Sequence, residues 1–132
     1  MSRTRAEAKV TVEHSEVFPY DESGSPALVE IHLTETFSGD IDGVSAVRAL
    51  QARRDDGTAS MVMLQRFEGT LGGLRGTFVL QGSALVEKGK IRATWSVVPR
   101  SGTGELSGLR GEGGFDGDFG KGSVATLEYW FE

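Results

Sequence analysis

Apolar and polar residues alternate along most of this chain. Ala6, Ala8, Val10 and Val12 interleave with Glu7, Lys9, Thr11 and Glu13. A period of two sends successive side chains to opposite faces, which predicts a half-buried strand. Phe18–Pro26 breaks the pattern with two prolines and several turn formers, and reads as a surface loop. The next strand runs near Ala27–Phe37, with Val29, Ile31, Leu33, Glu35 and Phe37 on one face. Ser38–Gly43 turns the chain, and Val44–Arg53 forms a third strand with weaker alternation.

Three glycine turns then fix registers. Asp56-Gly57, Gly72-Gly73 and Lys88-Gly89 are hairpin signals. A two-residue turn at Gly72-Gly73 sets Leu71 opposite Leu74, Phe67 opposite Phe78 and Gln65 opposite Leu80. One at Lys88-Gly89 sets Val86 opposite Ile91, Gly82 opposite Trp95 and Leu80 opposite Val97. Opposed residues share a face. Both hairpins nominate the same one: Met61, Met63, Gln65, Phe67, Phe78, Leu80, Ile91, Ala93, Trp95 and Val97. A glycine opposite Trp95 leaves room for the indole.

Ser101–Gly114 is dense in glycine, with Leu106 and Leu109 as its apolar residues and Phe115 closing it. Interior glycine costs a helix about 1 kcal/mol each, so this is a tight turn leading into a bent strand. Phe115–Phe119 is a short strand or strand end, Gly120–Gly122 turns, and Ser123–Phe131 is the last strand. About eight strands joined hairpin after hairpin imply one all-β domain, an antiparallel up-and-down barrel, because closure removes exposed edges.

Composition narrows the function. At 132 residues the chain suits one domain with a real core. It has no cysteine, which excludes disulfides and thiolate chemistry. A net charge of -5 disfavours nucleic acid and anionic membranes as partners. The basic start Met1–Arg5 has no apolar segment behind it, so a cytoplasmic protein without a signal peptide is expected.

The candidate chemistry is sparse. Glu35 alternates with an apolar face and points inward, where burial raises a carboxyl pKa and suits it to acid–base work, or else it lies near the strand end and snorkels to solvent. Gln65 sits among Met61, Met63, Phe67, Phe78 and Leu80, either as a satisfied interior amide or as a group orienting a ligand. These two are the candidate catalytic residues. Met61, Met63, Phe67, Phe78, Leu80 and Trp95 are the candidate lining of an apolar ligand site, or equally the filling of the barrel. Arg48 joins that lining if Asp56-Gly57 is a two-residue turn. If Asp55–Gly57 is a three-residue loop with a bulge, Val47 faces Gln65 and Arg48 points out. Two isolated histidines, His14 and His32, make no metal site, and Asp116-Gly117-Asp118 reads as a solvated acidic loop. The glycine order matches no nucleotide cradle, so no cofactor is expected.

Thr36–Gly43, Asp56–Ser60, Gly76–Gln81 and Ser101–Gly113 together resemble a bacterial family of small proteins of unknown function. Its members are similar in fold to the plant allene oxide cyclases, which are calycin-like eight-stranded barrels. The resemblance runs from about Val10 to the C-terminus, and it implies cofactor-free handling of an apolar molecule inside the barrel. Members often carry Glu and His where this chain has Gln65 and Gly82. Three uses are open: binding a small apolar or amphipathic molecule, cofactor-free cyclisation or isomerisation of one, or a non-enzymatic interaction role. The last would be a homo-oligomer, dimer or trimer, through an outer face bearing Val62, Leu64 and Val79.

Overall fold

The protein is described by a computed structural model covering residues 2–118 and 121–132. Eight antiparallel strands close into a barrel in chain order: β1 (Thr4–Asp21), β2 (Ala27–Gly39), β3 (Ile41–Arg53), β4 (Ala59–Leu71), β5 (Leu74–Glu87), β6 (Lys90–Val97), β7 (Leu109–Asp118) and β8 (Gly122–Phe131). The expected registers hold. Gln65 pairs with Leu80, Phe67 with Phe78, Gly82 with Trp95 and Val86 with Ile91. The shared face nominated by the two hairpins is the barrel interior, where Phe67, Phe78, Leu80, Trp95 and Val97 are buried.

Several boundaries differ from the sequence reading. Phe18–Pro26 is not a loop throughout, because β1 continues to Asp21 by pairing with β2. Its proline is tolerated because the outer edge of β1 has no partner there. The third strand begins at Ile41, and β7 starts at Leu109 rather than Phe115, so the last six residues of the glycine-rich run are strand. Phe119 and Gly120, placed above in a strand end and a turn, lie outside the described residues.

The barrel is strongly staggered. From Gly82, one chain of pairings runs through Met63, Ala49 and Ile31 to Val17. The other runs through Trp95, Gly113 and Leu127 to Ala6. The two arrive on β1 eleven residues apart, one of these being the bulged Glu13 between Val12 and His14. Such an offset tilts the strands and sets the bore. It also carries β1 past β8: β8 pairs only with Thr4–Val10, and Glu13–Asp21 is exposed and pairs with β2 alone.

One end is plugged by the connection between β6 and β7. Val98 and Thr103 donate backbone bonds to Val79 and Thr77, so the chain first continues along β5. A 3₁₀ turn, Gly104–Leu106, then drops Leu106 into the barrel end, where it is fully buried with Leu109, Leu71 and Ile41. Glycine further on serves close approach. A side chain at Gly113 would put its Cβ 2.1 Å from the carbonyl oxygen of Thr126. That oxygen accepts the indole N–H of Trp95 at 3.0 Å, so the missing side chain keeps β7 against β8 and the acceptor clear. At Gly82 the clash would come first from the carbonyl of Thr94, at 2.2 Å, and only then from Trp95.

Candidate functional site

The interior has two unlike halves. Beneath the plug, Phe37, Phe67, Phe78 and Trp95 pack on one another, with ring centroids 5.5 Å apart for Phe37–Phe67 and 5.0 Å for Phe67–Phe78. Toward the opposite end the wall is built from Ala49, Ala59, Ala84, Ala93, Val47 and Val86, with Met61 and Met63. The predicted ligand lining is therefore divided. Met61 and Met63 belong to the alanine-walled half, while Phe67, Phe78, Leu80 and Trp95 are core of the plugged half.

Polar side chains enter this interior from β2, β3 and β4. Glu35 pairs across to Ser45, and Ser45 to Phe67; Val47 pairs with Gln65. Gln65 is 3% exposed and donates its amide to Ser45 Oγ at 2.9 Å and, more weakly, to Glu35 Oε1 at 3.5 Å. Glu35 is half-buried, beside the β1 bulge where β8 no longer covers the wall. Burial pushes its carboxyl up to about 7, against the smaller opposing pull of the Gln65 amide. Near neutral pH the group is thus shared between acid and carboxylate.

Arg48 is not part of the lining. Val47 faces Gln65 and Arg48 faces Leu64, the register of a three-residue loop. Arg54 N bonds Thr58 O at 2.9 Å, and Gly57 takes the left-handed φ of 87° that closes such a loop. Arg48 is exposed on the outer wall, where a guanidinium stays hydrated instead of being buried unpaired.

Two further residues escaped the sequence reading. Ser45 and Gln51 are both 2% exposed and face inward on β3. Their polarity is what weakened the alternation of that strand. Gln51 lies between Val29 and Met61 in the ladder. Its Oε1 accepts from Arg53 Nε at 2.5 Å, and its buried Nε2 has no hydrogen-bond partner among the described residues.

Broad hollows lie on the outer wall of the barrel. One of about 1250 Å³ is bordered by Arg48, Leu64, Gln81, Glu112 and Glu128, and none of Glu35, Ser45, Gln51 or Gln65 lines it. It is a broad groove between outward side chains of neighbouring strands. A smaller apolar one, about 500 Å³, touches Tyr20, Leu50, Val62 and Leu85. Val62 and Leu64 are exposed as expected, but Val79 is half-buried because Ser101 and Val98 fold onto it. The acidic pair Asp116 and Asp118 sits on β7 in ion pairs with Arg92 and Lys90. Among the described residues no helix is long and apolar enough to cross a membrane.

A family model described as a protein of unknown function, DUF3224, matches residues 6–131. The chain belongs to the DUF3224 family. Among solved structures, a DUF3224 protein of unknown function from Shewanella oneidensis MR-1 is similar, at 28% identity over 99% of both chains with a TM-score of 0.79. No curated protein matches. The barrel described above is accordingly a DUF3224 barrel, and the matched region takes in all of the inward polar residues.

Proposed function

We propose that this DUF3224 barrel binds a small amphipathic molecule in the alanine-walled half of its interior. The observation that carries the reading is the set of inward polar side chains, buried Ser45, Gln65 and Gln51 with half-buried Glu35, on an otherwise apolar wall. Buried polar groups cost stability unless bonded, and binding sites place a few of them among apolar surface to orient a ligand. Met61 and Met63 supply an adaptable wall, and Phe67, Phe78 and Trp95 its rigid floor. The likeness to the allene oxide cyclases belongs to this proposal, as does a cytoplasmic setting.

The test uses the methyl groups of Met61 and Met63, two of only three methionines in the chain. Titration with 1-decanol, followed by methyl NMR, is expected to move both signals together. Unmoved signals at saturating decanol would overturn the reading.

A second reading shares the site. A carboxyl titrating near 7 beside an amide is suited to proton transfer, the requirement of a cofactor-free isomerase or cyclase acting by general acid–base catalysis. Turnover of a candidate polyene or epoxide that survives Glu35→Gln and Gln65→Ala together would remove both residues from any mechanism. A third reading, self-association, rests on the exposed Leu50, Val62, Leu64 and Leu85 of the outer wall. A clean monomer by gel filtration at micromolar concentration would dismiss it.

A further inference from the structure

The unplugged end of the barrel carries a polar pair that the Glu35 cluster does not explain. Arg53 is the last residue of β3 and shares the inward parity of Val47, Ala49 and Gln51. It is half-buried, and among the described residues no carboxylate lies within 4.0 Å of it. Asp56, on the loop that follows, accepts from Thr58, and Asp21 at the end of β1 accepts from Ser23. The guanidinium instead donates through Nε to Gln51 Oε1.

That bond fixes the amide. Rotating Gln51 by half a turn would set its NH₂ against a guanidinium donor, so the oxygen stays on Arg53. The NH₂ is left buried and unpartnered, next in the ladder to Met61 and Val29. A donor in that position costs on the order of 1–3 kcal/mol unless an acceptor arrives. The remaining N–H groups of Arg53 are donors too. A buried amide donor and the cationic donor bonded to it, next to an apolar wall, are complementary to an oxyanion with an apolar tail.

We infer that Arg53 and Gln51 hold the anionic head of an amphipathic ligand, a carboxylate, at the open mouth of the barrel. The tail then runs inward past Ala49, Met61 and Met63. Six residues of β3 separate Gln51 from Ser45, about 20 Å along the strand, so the tail points toward the Glu35–Gln65 cluster. This inference rests on interior binding as proposed above, and adds to it the charge and the orientation of the ligand.

Three probes of equal chain length test it: decanoate, 1-decanol and decylamine, titrated into the full chain with the Met61 and Met63 methyl signals as readout. Decanoate is expected to bind at least tenfold tighter than decanol, and decylamine more weakly than either. In Arg53→Met, which keeps the apolar stem, the preference for decanoate is expected to vanish while decanol affinity stays within twofold. Arg53→Lys is expected to keep part of the preference, which separates charge from fold. Equal affinity for decanoate and decanol in the unaltered protein would overturn the head-group site and leave interior binding standing, as would a preference that survives Arg53→Met. Failure of all three probes to move either methyl would overturn interior binding, and this inference with it.

Discussion

The two halves of the barrel are made from the same eight strands, yet they solve opposite problems. The plugged half is filled by large side chains that touch one another, with Phe67 and Leu71 fully buried and Leu106 inserted from the β6–β7 connection. The other half is walled by alanine and valine, and it carries Gln51 at its mouth. An eight-stranded barrel has just enough bore to be filled by its own side chains or to hold one small ligand. Here packing fixes the fold at the plugged end, and the proposed function gives the alanine-walled end the second task.

Truncation is the most direct way to break this comparison. Phe67→Ala is expected to cost about 3–5 kcal/mol in urea unfolding, the range for a large aromatic taken from a tight core. Met61→Ala is expected to cost about 2 kcal/mol, at the low end of its class. Equal losses would mean the halves are packed alike. Next in size, Gly113→Ala forces a Cβ to within 2.1 Å of the Thr126 carbonyl, and about 2–4 kcal/mol is expected from strain of this kind. The indole N–H resonance of Trp95 should shift with it, since that carbonyl is its acceptor.

The Glu35 carboxyl sharpens the picture through pH. Its folded-state pKa of about 7 lies above the ordinary 4.5, so between these values the folded protein holds a proton that the unfolded chain has released. Stability from this group is complete below about pH 4.5 and is lost as pH rises through 7. The displacement sets an upper bound of about 3 kcal/mol, and solvent access at the bulge reduces it. Glu35→Gln is expected to flatten the stability profile over that window and to stabilise the protein at pH 8. An unchanged profile would place the carboxyl in water. The smallest effect is expected from Ala84→Leu, below about 1 kcal/mol if the alanine-walled half has room, against the 1–3 kcal/mol usual for overpacking. A larger loss would show that half to be full.

Much of this architecture is legible in the sequence. The glycine turns at 72–73 and 88–89 determine their registers outright, because a two-residue hairpin leaves no freedom in pairing. Arg48 was legible only as a choice between two loops, which the cost of burying an unpaired guanidinium decides correctly. The length of β1 was hidden, since Pro19 and Tyr20 carry turn chemistry and only pairing with β2 makes them strand. Gln51 and Ser45 were missed for a related reason. A polar residue on an inward position looks like a lapse in the pattern until its neighbours across the sheet are known. Glu35 was visible because four apolar residues share its face.

The overhang of β1 has a further consequence, in how the ring is assembled. Seven of the eight pairings join strands that are neighbours in sequence, and each can form by local zipping. The eighth sets Thr4 against Tyr129 and brings the two ends of the chain together over only seven residue pairs. Closing a loop of that size carries the largest entropic charge of any contact in the molecule. The β1–β8 seam is thus the natural last step of folding and the first place for the wall to part. It ends beside Glu35, whose partner Val12 follows the last β8-paired residue, Val10, by two positions.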